Sequence, residues 1–375
     1  MSLDKEPNFL ILLLCFASLA LTVFSVLEPI PKNLSPDSVN LPEIVTNDIA
    51  LKKSLKVFGP KQTLATLYTL STQQSFDCHQ RAHQAGRLAA QIFPIEKAFR
   101  EGSGECHSGY YHGTTEEYFA KYGTANLAQN LSELCTESLN GFFRHQCYHG
   151  VGHGLMGWTS YEINEALAGC DMLTESIDKN SCATGVFMEN YTGAFATESE
   201  ALKNPQNAGH VSKYLSDDPQ FPCNFVTSYQ DQCYFLQTSR MIQVLGPDFE
   251  KIAAECEKAP EEYQDSCFSS MGRDVGGSSR PSPVKAVEKC AYAPDGTFET
   301  ACLMGAVQDY FWDPSGADSA VNFCRLLTDE AQKSSCYNVV IGRGAEILIS
   351  KNQKVEFCQK VEQNYLRDCQ DLFQI

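Results

Sequence analysis

Cysteines recur in pairs at a nearly constant interval along this chain of 375 residues. The partners of seven pairs are 10 to 12 residues apart: Cys135/Cys147, Cys170/Cys182, Cys223/Cys233, Cys256/Cys267, Cys290/Cys302, Cys324/Cys336 and Cys358/Cys369. From Cys223 onward, the first members of successive pairs follow in steps of 33 or 34 residues, which is the length of one two-helix repeat. The spacing predicts a repeat protein in which each repeat is closed by its own disulfide.

An eighth pair, Cys78/Cys106, is wider and therefore the least secure of the set. Of the 17 cysteines, Cys15 lies in an apolar run near the N-terminus, so 16 remain, an even number as full pairing requires. Structural zinc is the alternative explanation for regular cysteine pairs, but its ligand pairs are usually separated by about two to four residues, and CxxC is absent. The spacing favours disulfides, which form in an oxidising compartment.

Residues 318–348 illustrate the expected hairpin. An apolar stripe on a short first helix is formed by Ala320, Phe323, Leu326 and Leu327. Thr328 with the two acidic residues after it is typical of the start of a second helix. Cys324 and Cys336 flank this connection and can face each other across it. The predicted fold class is all-α, an α/α-hairpin repeat solenoid of about eight hairpins of roughly 34 residues, with one disulfide per hairpin.

This array resembles tetratricopeptide and Sel1-like helical stacks in its period and hairpin geometry. The sequence signatures of those families are absent, so the resemblance implies an architecture and no activity. Residues 193–222 lengthen one repeat with a polar segment rich in turn-forming residues. Such an insertion is either a tolerated surface loop or a functional element on one face of the array.

Residues 9–27 form a run of 19 residues without a charge, which is long enough to span a bilayer. The residues before the run carry little net charge and no clean small-x-small cleavage site follows, so we expect an uncleaved anchor; a cleaved signal peptide is the alternative. The predicted organisation is a membrane anchor or signal (1–28), a proline-rich linker (29–60), histidine-rich helical repeats (61–192), the polar insertion (193–222) and C-terminal helical repeats (223–375). Because the cysteines require an oxidising space, we expect a single-pass protein with its C-terminal part in the periplasm, a secretory lumen or the extracellular space.

The formal net charge is −17, and the sequence pI is about 4.9. A nucleic-acid partner is therefore not expected, because binding to phosphates requires a basic surface. The partners that we expect are the membrane, through the N-terminal helix, and a protein or small molecule in the groove of the solenoid.

Histidines are concentrated in the N-terminal repeats. Seven of the eight lie between residues 79 and 153: His79, His83, His107, His112, His145, His149 and His153. His79 and His83 are four residues apart, as are His149 and His153, and a helix places residues at this spacing on one face, where two imidazoles can chelate one ion. Glycines at 150, 152 and 154 work against a regular helix at His149, and close helix approach or access of a ligand to the backbone would explain them.

The repeat register strengthens the argument. His112 follows Cys106 by six residues, and His153 follows Cys147 by six residues. The same position holds Met188, Ser239, Arg273, Gln308 and Gly342 in later repeats. Because equivalent positions in a stack point to the same surface, we expect His112 and His153 to be neighbours.

We therefore predict a metal site formed by His79, His83, His112, His149, His153 and Glu189. Its cofactor is a transition metal ion, either zinc, iron or copper, and more than four ligands could hold two ions. His107 and His145 fall outside the shared register. The alternative is that these histidines only form hydrogen bonds within a core.

No GxSxG, HExxH or GxxxxGK[ST] motif is present, so the sequence offers none of these catalytic templates. The expected function is a metal-dependent hydrolase or oxidoreductase, in which the metal activates water or oxygen. The alternative is a non-catalytic binding scaffold or metal carrier.

Overall fold

The computed structural model describes residues 39–74, 76, 78–136, 141–192, 212–280, 282–294, 296–348 and 350–375. Residues Leu41–Ile375 form one compact unit. The described residues contain 17 α-helices and no β-strands, so the predicted all-α class is confirmed. The helices are α1 Asp48–Gln73, α2 Cys78–Ile92, α3 Ile95–Arg100, α4 Gly109–Tyr122, α5 Leu127–Leu131, α6 Gly141–Trp158, α7 Ile163–Asp171, α8 Ser176–Thr192, α9 Gln230–Leu245, α10 Phe249–Cys256, α11 Glu261–Ser279, α12 Pro283–Cys290, α13 Thr297–Tyr310, α14 Ala317–Leu326, α15 Glu330–Ile347, α16 Lys351–Lys360 and α17 Leu366–Phe373.

All eight predicted cysteine pairs are disulfides, with Cα–Cα distances between 5.2 and 5.7 Å. From α7 onward most of them join the end of a first helix to the first turns of the second. In the hairpin of α14 and α15, for example, Cys324 and Cys336 are both fully buried. A closed loop of this length stabilises the fold by at most ~3 kcal/mol in the chain-entropy model, which suits hairpins that bury little surface alone. The disulfides also indicate an oxidising, extracytoplasmic compartment.

The helix boundaries follow local capping chemistry. The side chain of Asp329 accepts hydrogen bonds from the backbone N–H groups of Ala331 and Gln332 at the start of α15. Asp329 is therefore the N-cap of this helix, one residue after Thr328, where the sequence predicts the helix start. Ser350 and Gln353 form a reciprocal capping box at the start of α16. These local signals fix where each hairpin turns.

Three segments depart from the expected pattern. Helix α1 begins at Asp48, inside the predicted linker 29–60, and the boundary expected at residue 60 is instead a kink at Gly59, whose φ is 80°. Cys223 lies in an irregular segment before α9 rather than on a first helix. The disulfide between Cys78 and Cys106 joins the start of α2 to the segment that precedes α4, so its wider spacing reflects a different connection.

Glycine permits the second helices of neighbouring repeats to pack backbone against backbone. A Cβ built on Gly185 would lie 1.8 Å from the carbonyl oxygen of His149, and one on Gly152 would lie 1.9 Å from that of Cys182. The pair α11 and α13 repeats this contact, since a Cβ on Gly272 would lie 1.9 Å from the carbonyl oxygen of Cys302. Close helix approach is thus the physical reason for these glycines. They do not break α6, which is continuous from Gly141 to Trp158.

The array curves so that its later repeats contact the N-terminal ones. Helix α15 contacts α6, the ring of Phe142 lies 5.6 Å from that of Trp312, and the hydroxyl of Tyr68 lies 2.7 Å from the Oγ of Ser315. The second helices therefore surround a cavity instead of an open groove. The 33- or 34-residue period did not predict this closure.

Within the described part of the chain, no helix is both long enough and apolar enough to cross a membrane. The apolar run at residues 9–27, on which the anchor prediction depends, lies outside the described residues, as does the part of the insertion from 193 to 211.

Candidate metal centre

Five of the six predicted ligands meet in two groups that share one residue. His79, His83 and His112 offer nitrogen atoms that all lie within 4.8 Å of one another, and so do His112, His149 and His153. Helix α2 carries the first two histidines, α4 carries His112, and α6 carries the last two. His112 and His153 are stacked with ring centroids 4.2 Å apart, as the repeat register predicts.

In the first group the two Nδ1 atoms of α2 point away from the centre of the group. Nδ1 of His79 lies 3.0 Å from the carbonyl oxygen of Cys106, which can only accept a hydrogen bond. Nδ1 of His83 lies 3.1 Å from a carboxylate oxygen of Glu116. Both rings therefore carry their proton on Nδ1, and their Nε2 lone pairs face each other at 3.2 Å.

The second group repeats this arrangement on α6. Nδ1 of His153 lies 2.8 Å from Oε2 of Glu189, and Nδ1 of His149 lies 2.8 Å from Oγ1 of Thr184. Because Thr184 donates its own hydroxyl proton to the carbonyl oxygen of Ser181, it accepts the proton of His149. The two Nε2 atoms again face each other at 3.2 Å.

Two unprotonated nitrogens at this distance repel each other unless a cation lies between them. Two nitrogens bound to one tetrahedral zinc ion at about 2.0–2.1 Å lie about 3.3 Å apart, which is close to both Nε2–Nε2 distances. The His112 ring connects the groups: its Nδ1 lies 3.1 Å from Nε2 of His83, and its Nε2 is buried with no hydrogen-bond partner among the described residues. The geometry therefore fits metal chelation by each group.

Burial keeps His79, His112 and His149 neutral and leaves their lone pairs available. Burial, reinforced by the neighbouring His83, lowers the pKa of His79 to about 3. Burial and the nearby His153 lower the pKa values of His112 and His149 well below the usual range. A proton is therefore a poor substitute for a metal ion between the facing nitrogens at neutral pH.

Glu189 lies behind His153 rather than among the ligand atoms, which differs from its predicted role as a ligand. Its second oxygen accepts a hydrogen bond of 2.7 Å from the hydroxyl of Tyr161. Glu116 holds the corresponding position behind His83 and also pairs with Arg87 at 2.6 Å. Although burial opposes ionisation of Glu116, its hydrogen bond from His83 and the charge of Arg87 lower its pKa. Carboxylates that accept the Nδ1 proton orient a metal-binding imidazole and raise its basicity.

Sequence reasoning missed three supporting residues. Arg87 follows His83 by four residues, and this helical spacing was a usable signal. Thr184 follows Cys182 by two residues, just as His149 follows Cys147, so the repeat register also pointed to it. Tyr161 has no such signal, because it lies just after α6, in the left-handed backbone region with φ of 64°.

The other histidines stay outside both groups. Nδ1 of His145 lies 2.7 Å from Oγ of Ser181, and His107 packs against Trp312 with ring centroids 5.8 Å apart. His210 lies outside the described residues. Burial, and then the charge of Arg343, lowers the pKa of His145 to about 4.

A cavity of ≈ 460 Å³ adjoins the histidine groups. Its walls combine histidines of the N-terminal repeats with charged and aromatic residues of the C-terminal repeats. Among the lining residues are His79, His112, His149, Arg273, Asp309, Trp312 and Arg343. Its volume falls within the range of about 300–1,000 Å³ that is typical of small-molecule sites.

No family model matches the chain, and no curated protein or solved structure is detectably similar to it. The function must therefore be inferred from the site itself.

Proposed function

We propose that this protein holds two transition metal ions, one in each histidine group, and that it is a metal-dependent hydrolase or oxidoreductase acting in the adjoining cavity. The observation that carries the proposal is the pair of Nε2–Nε2 contacts of 3.2 Å between rings whose Nδ1 atoms are committed to acceptors. A cation shared by the facing nitrogens accounts for both contacts, and burial disfavours a proton in that role.

His112 is the shared ligand in this proposal. The other four histidines each have one nitrogen next to an acceptor outside the two groups. Among the described residues, neither nitrogen of His112 has such an acceptor. An imidazole that loses its remaining proton can bind one ion through Nδ1 and a second through Nε2. Each ion would then have three nitrogen ligands and a further position for substrate or water.

The donor set restricts the metal. Imidazole suits zinc, copper and iron, whereas magnesium and calcium prefer oxygen ligands. A bound ion of this kind activates water or oxygen, or polarises a substrate group. The residues of the chain provide what surrounds that chemistry: Glu116 and Glu189 hold the rings in place, and Asp309, whose pKa burial raises, places a carboxyl group in the cavity wall.

Burial favours resident ions over a carrier function. His83, His112 and His153 are at most 2% exposed, and His149 is 7% exposed. A carrier must exchange its cargo readily, and these ligands are enclosed by packed helices. The ions are expected to remain through dilution and to leave only slowly in the presence of a chelator.

Elemental analysis of protein purified without a metal-affinity tag tests the proposal. We expect two ions per chain, one ion in His79→Ala/His83→Ala and in His149→Ala/His153→Ala, and loss of most metal in His112→Ala. His145→Ala is the matched control, because His145 is partly buried on the same helix as His149 but lies outside both groups. A native protein without metal, or a His112→Ala variant with full metal content, would refute the proposal.

A further inference from the structure

The side of the cavity formed by the C-terminal repeats carries two arginines and an indole. Arg273 on α11 and Arg343 on α15 are 17% and 19% exposed, and both line the cavity with Trp312. The guanidinium of Arg343 lies 4.9 Å from the ring centre of Phe142 and 5.8 Å from that of Trp312. Cationic and flat apolar surfaces are therefore adjacent on this wall.

Three N–H groups of this wall have no acceptor in the part of the chain that the structure describes. Nη1 of Arg273, Nε of Arg343 and Nε1 of Trp312 are buried and have no hydrogen-bond acceptor among the described residues. A buried donor without an acceptor costs free energy, so three around one cavity require an explanation. All three groups donate and none can accept, so a ligand rich in acceptor oxygens would satisfy them.

Nearby carboxylates do not fully neutralise the arginines. Among the described residues, the shortest ion-pair distance from Arg343 is 3.8 Å, to Glu346, and that from Arg273 is 3.5 Å, to Asp274. Asp309 pairs instead with Arg280, at 3.1 Å. Arg343 is thus a largely buried cation whose ion pair with Glu346 is long, and burial lowers its pKa.

We infer that the cavity binds a small organic anion, with its carboxylate against Arg343 and Arg273 and a planar apolar body against Trp312 and Phe142. The other end of the anion would lie toward His112 and His149. Its reaction there rests on the proposed function. The anion would complete the hydrogen bonding of the guanidinium groups, and the aromatic rings would stack on its body. The cavity thereby selects a substrate that is charged at one end and apolar along its length.

Naphthoate and its neutral analogue naphthamide are suitable probes. Binding is measured by calorimetry on the whole protein, and a Trp158→Phe background leaves Trp312 as the only tryptophan, so its fluorescence locates the ligand. Trp158 is half-exposed and does not line the cavity. We expect saturable binding of naphthoate with a change in Trp312 fluorescence, and binding of naphthamide at least about tenfold weaker, because a charge-assisted hydrogen bond is lost.

Arg343→Met keeps an apolar side chain over Phe142 and should weaken naphthoate binding at least about tenfold, whereas Arg343→Lys should restore part of it. Arg240→Met is the matched control, because Arg240 is also partly buried but does not line the cavity. Equal binding of the two probes, or full binding by Arg343→Met, would overturn the inference.

Repeating the titration after metal removal separates this inference from the proposed function. Binding that survives metal removal and depends on Arg343 supports the anion site. Binding that is lost with the metal and is unchanged in Arg343→Met places the carboxylate on the metal, so the inference fails while the proposed function stands. Protein that never contains metal but binds naphthoate through Arg343 refutes the proposed function and leaves the anion site.

Discussion

The N-terminal and C-terminal repeats share one scaffold and differ in the side chains that they present to the cavity. Both regions have one disulfide per hairpin, and both pack their second helices through glycine, at Gly152 and Gly185 in one region and at Gly272 and Gly305 in the other. Six or seven residues after the second cysteine of a repeat, the first region has His112 and His153, whereas the second region has Arg273, Asp309 and Arg343. The comparison indicates that the scaffold is repeated while the chemistry is local, so changes to the scaffold and changes to the site should have separable effects.

Reduction of the disulfides should have the largest effect and should not distinguish the two regions. Each of the seven tight loops contributes at most ~3 kcal/mol, and seven losses of this order exceed the total stability of about 5–15 kcal/mol that is usual for a domain. We expect the reduced chain to lose its helical circular dichroism signal and its metal together. Peptide mapping of the native protein under non-reducing conditions should recover Cys324 linked to Cys336 and Cys290 linked to Cys302. A reduced protein that keeps folded, metal-loaded N-terminal repeats would show that metal rather than disulfides holds that region.

Substitution of a packing glycine should destabilise either region equally but affect metal only in one. A Cβ on Gly185 would lie 1.8 Å from the carbonyl oxygen of His149, and one on Gly305 would lie 2.1 Å from that of Ser269. Forcing the helices apart should cost about 1–3 kcal/mol in each variant, measured by denaturant unfolding. Gly185→Ala should also lower metal content, because it displaces the backbone of a ligand, whereas Gly305→Ala should retain full metal content. Equal metal loss in both variants would mean that the scaffold and the site cannot be separated.

Replacement of a carboxylate behind the site should affect metal affinity more than stability. Glu189 and Asp274 each follow the second cysteine of their repeat by seven residues, which makes them matched positions. Glu189→Gln weakens the acceptor for Nδ1 of His153, so we expect a loss in metal affinity of roughly 10–100-fold, measured by competition with a chelator. Asp274 instead accepts hydrogen bonds from Thr238 and Ser239, so Asp274→Asn should leave metal affinity unchanged. A Glu189→Gln variant with native metal affinity would contradict this prediction and would show that the carboxylate contributes only to packing.

The parts of this structure that the sequence predicted are those that depend on short spacing or on register. Cysteines 10 to 12 residues apart indicated the hairpins, and the shared position of His112 and His153 indicated their contact. Closure of the array depends on the sum of small rotations between repeats, so the meeting of Phe142 and Trp312 leaves no local signal. The roles of Glu189 and the glycines were ambiguous for a related reason, since spacing specifies which residues are neighbours but not which atoms meet. Whether the six predicted ligand residues bind metal at all stays a prediction that only metal analysis can decide.

The smallest expected effect is at Gly342, which occupies in α15 the position that His112 and His153 hold in the N-terminal repeats. A Cβ built there meets no atom within 4 Å among the described residues, in contrast to Gly185 and Gly305. Gly342→Ala should therefore raise the free energy of unfolding by about 0.5–1 kcal/mol, because alanine loses less backbone entropy in a helix. Thermal unfolding with metal analysis checks this, and metal content should not change. Destabilisation of more than about 1 kcal/mol would contradict this prediction. It would show that α15 requires a glycine for close helix packing at this position, as the second helices of the other repeats do.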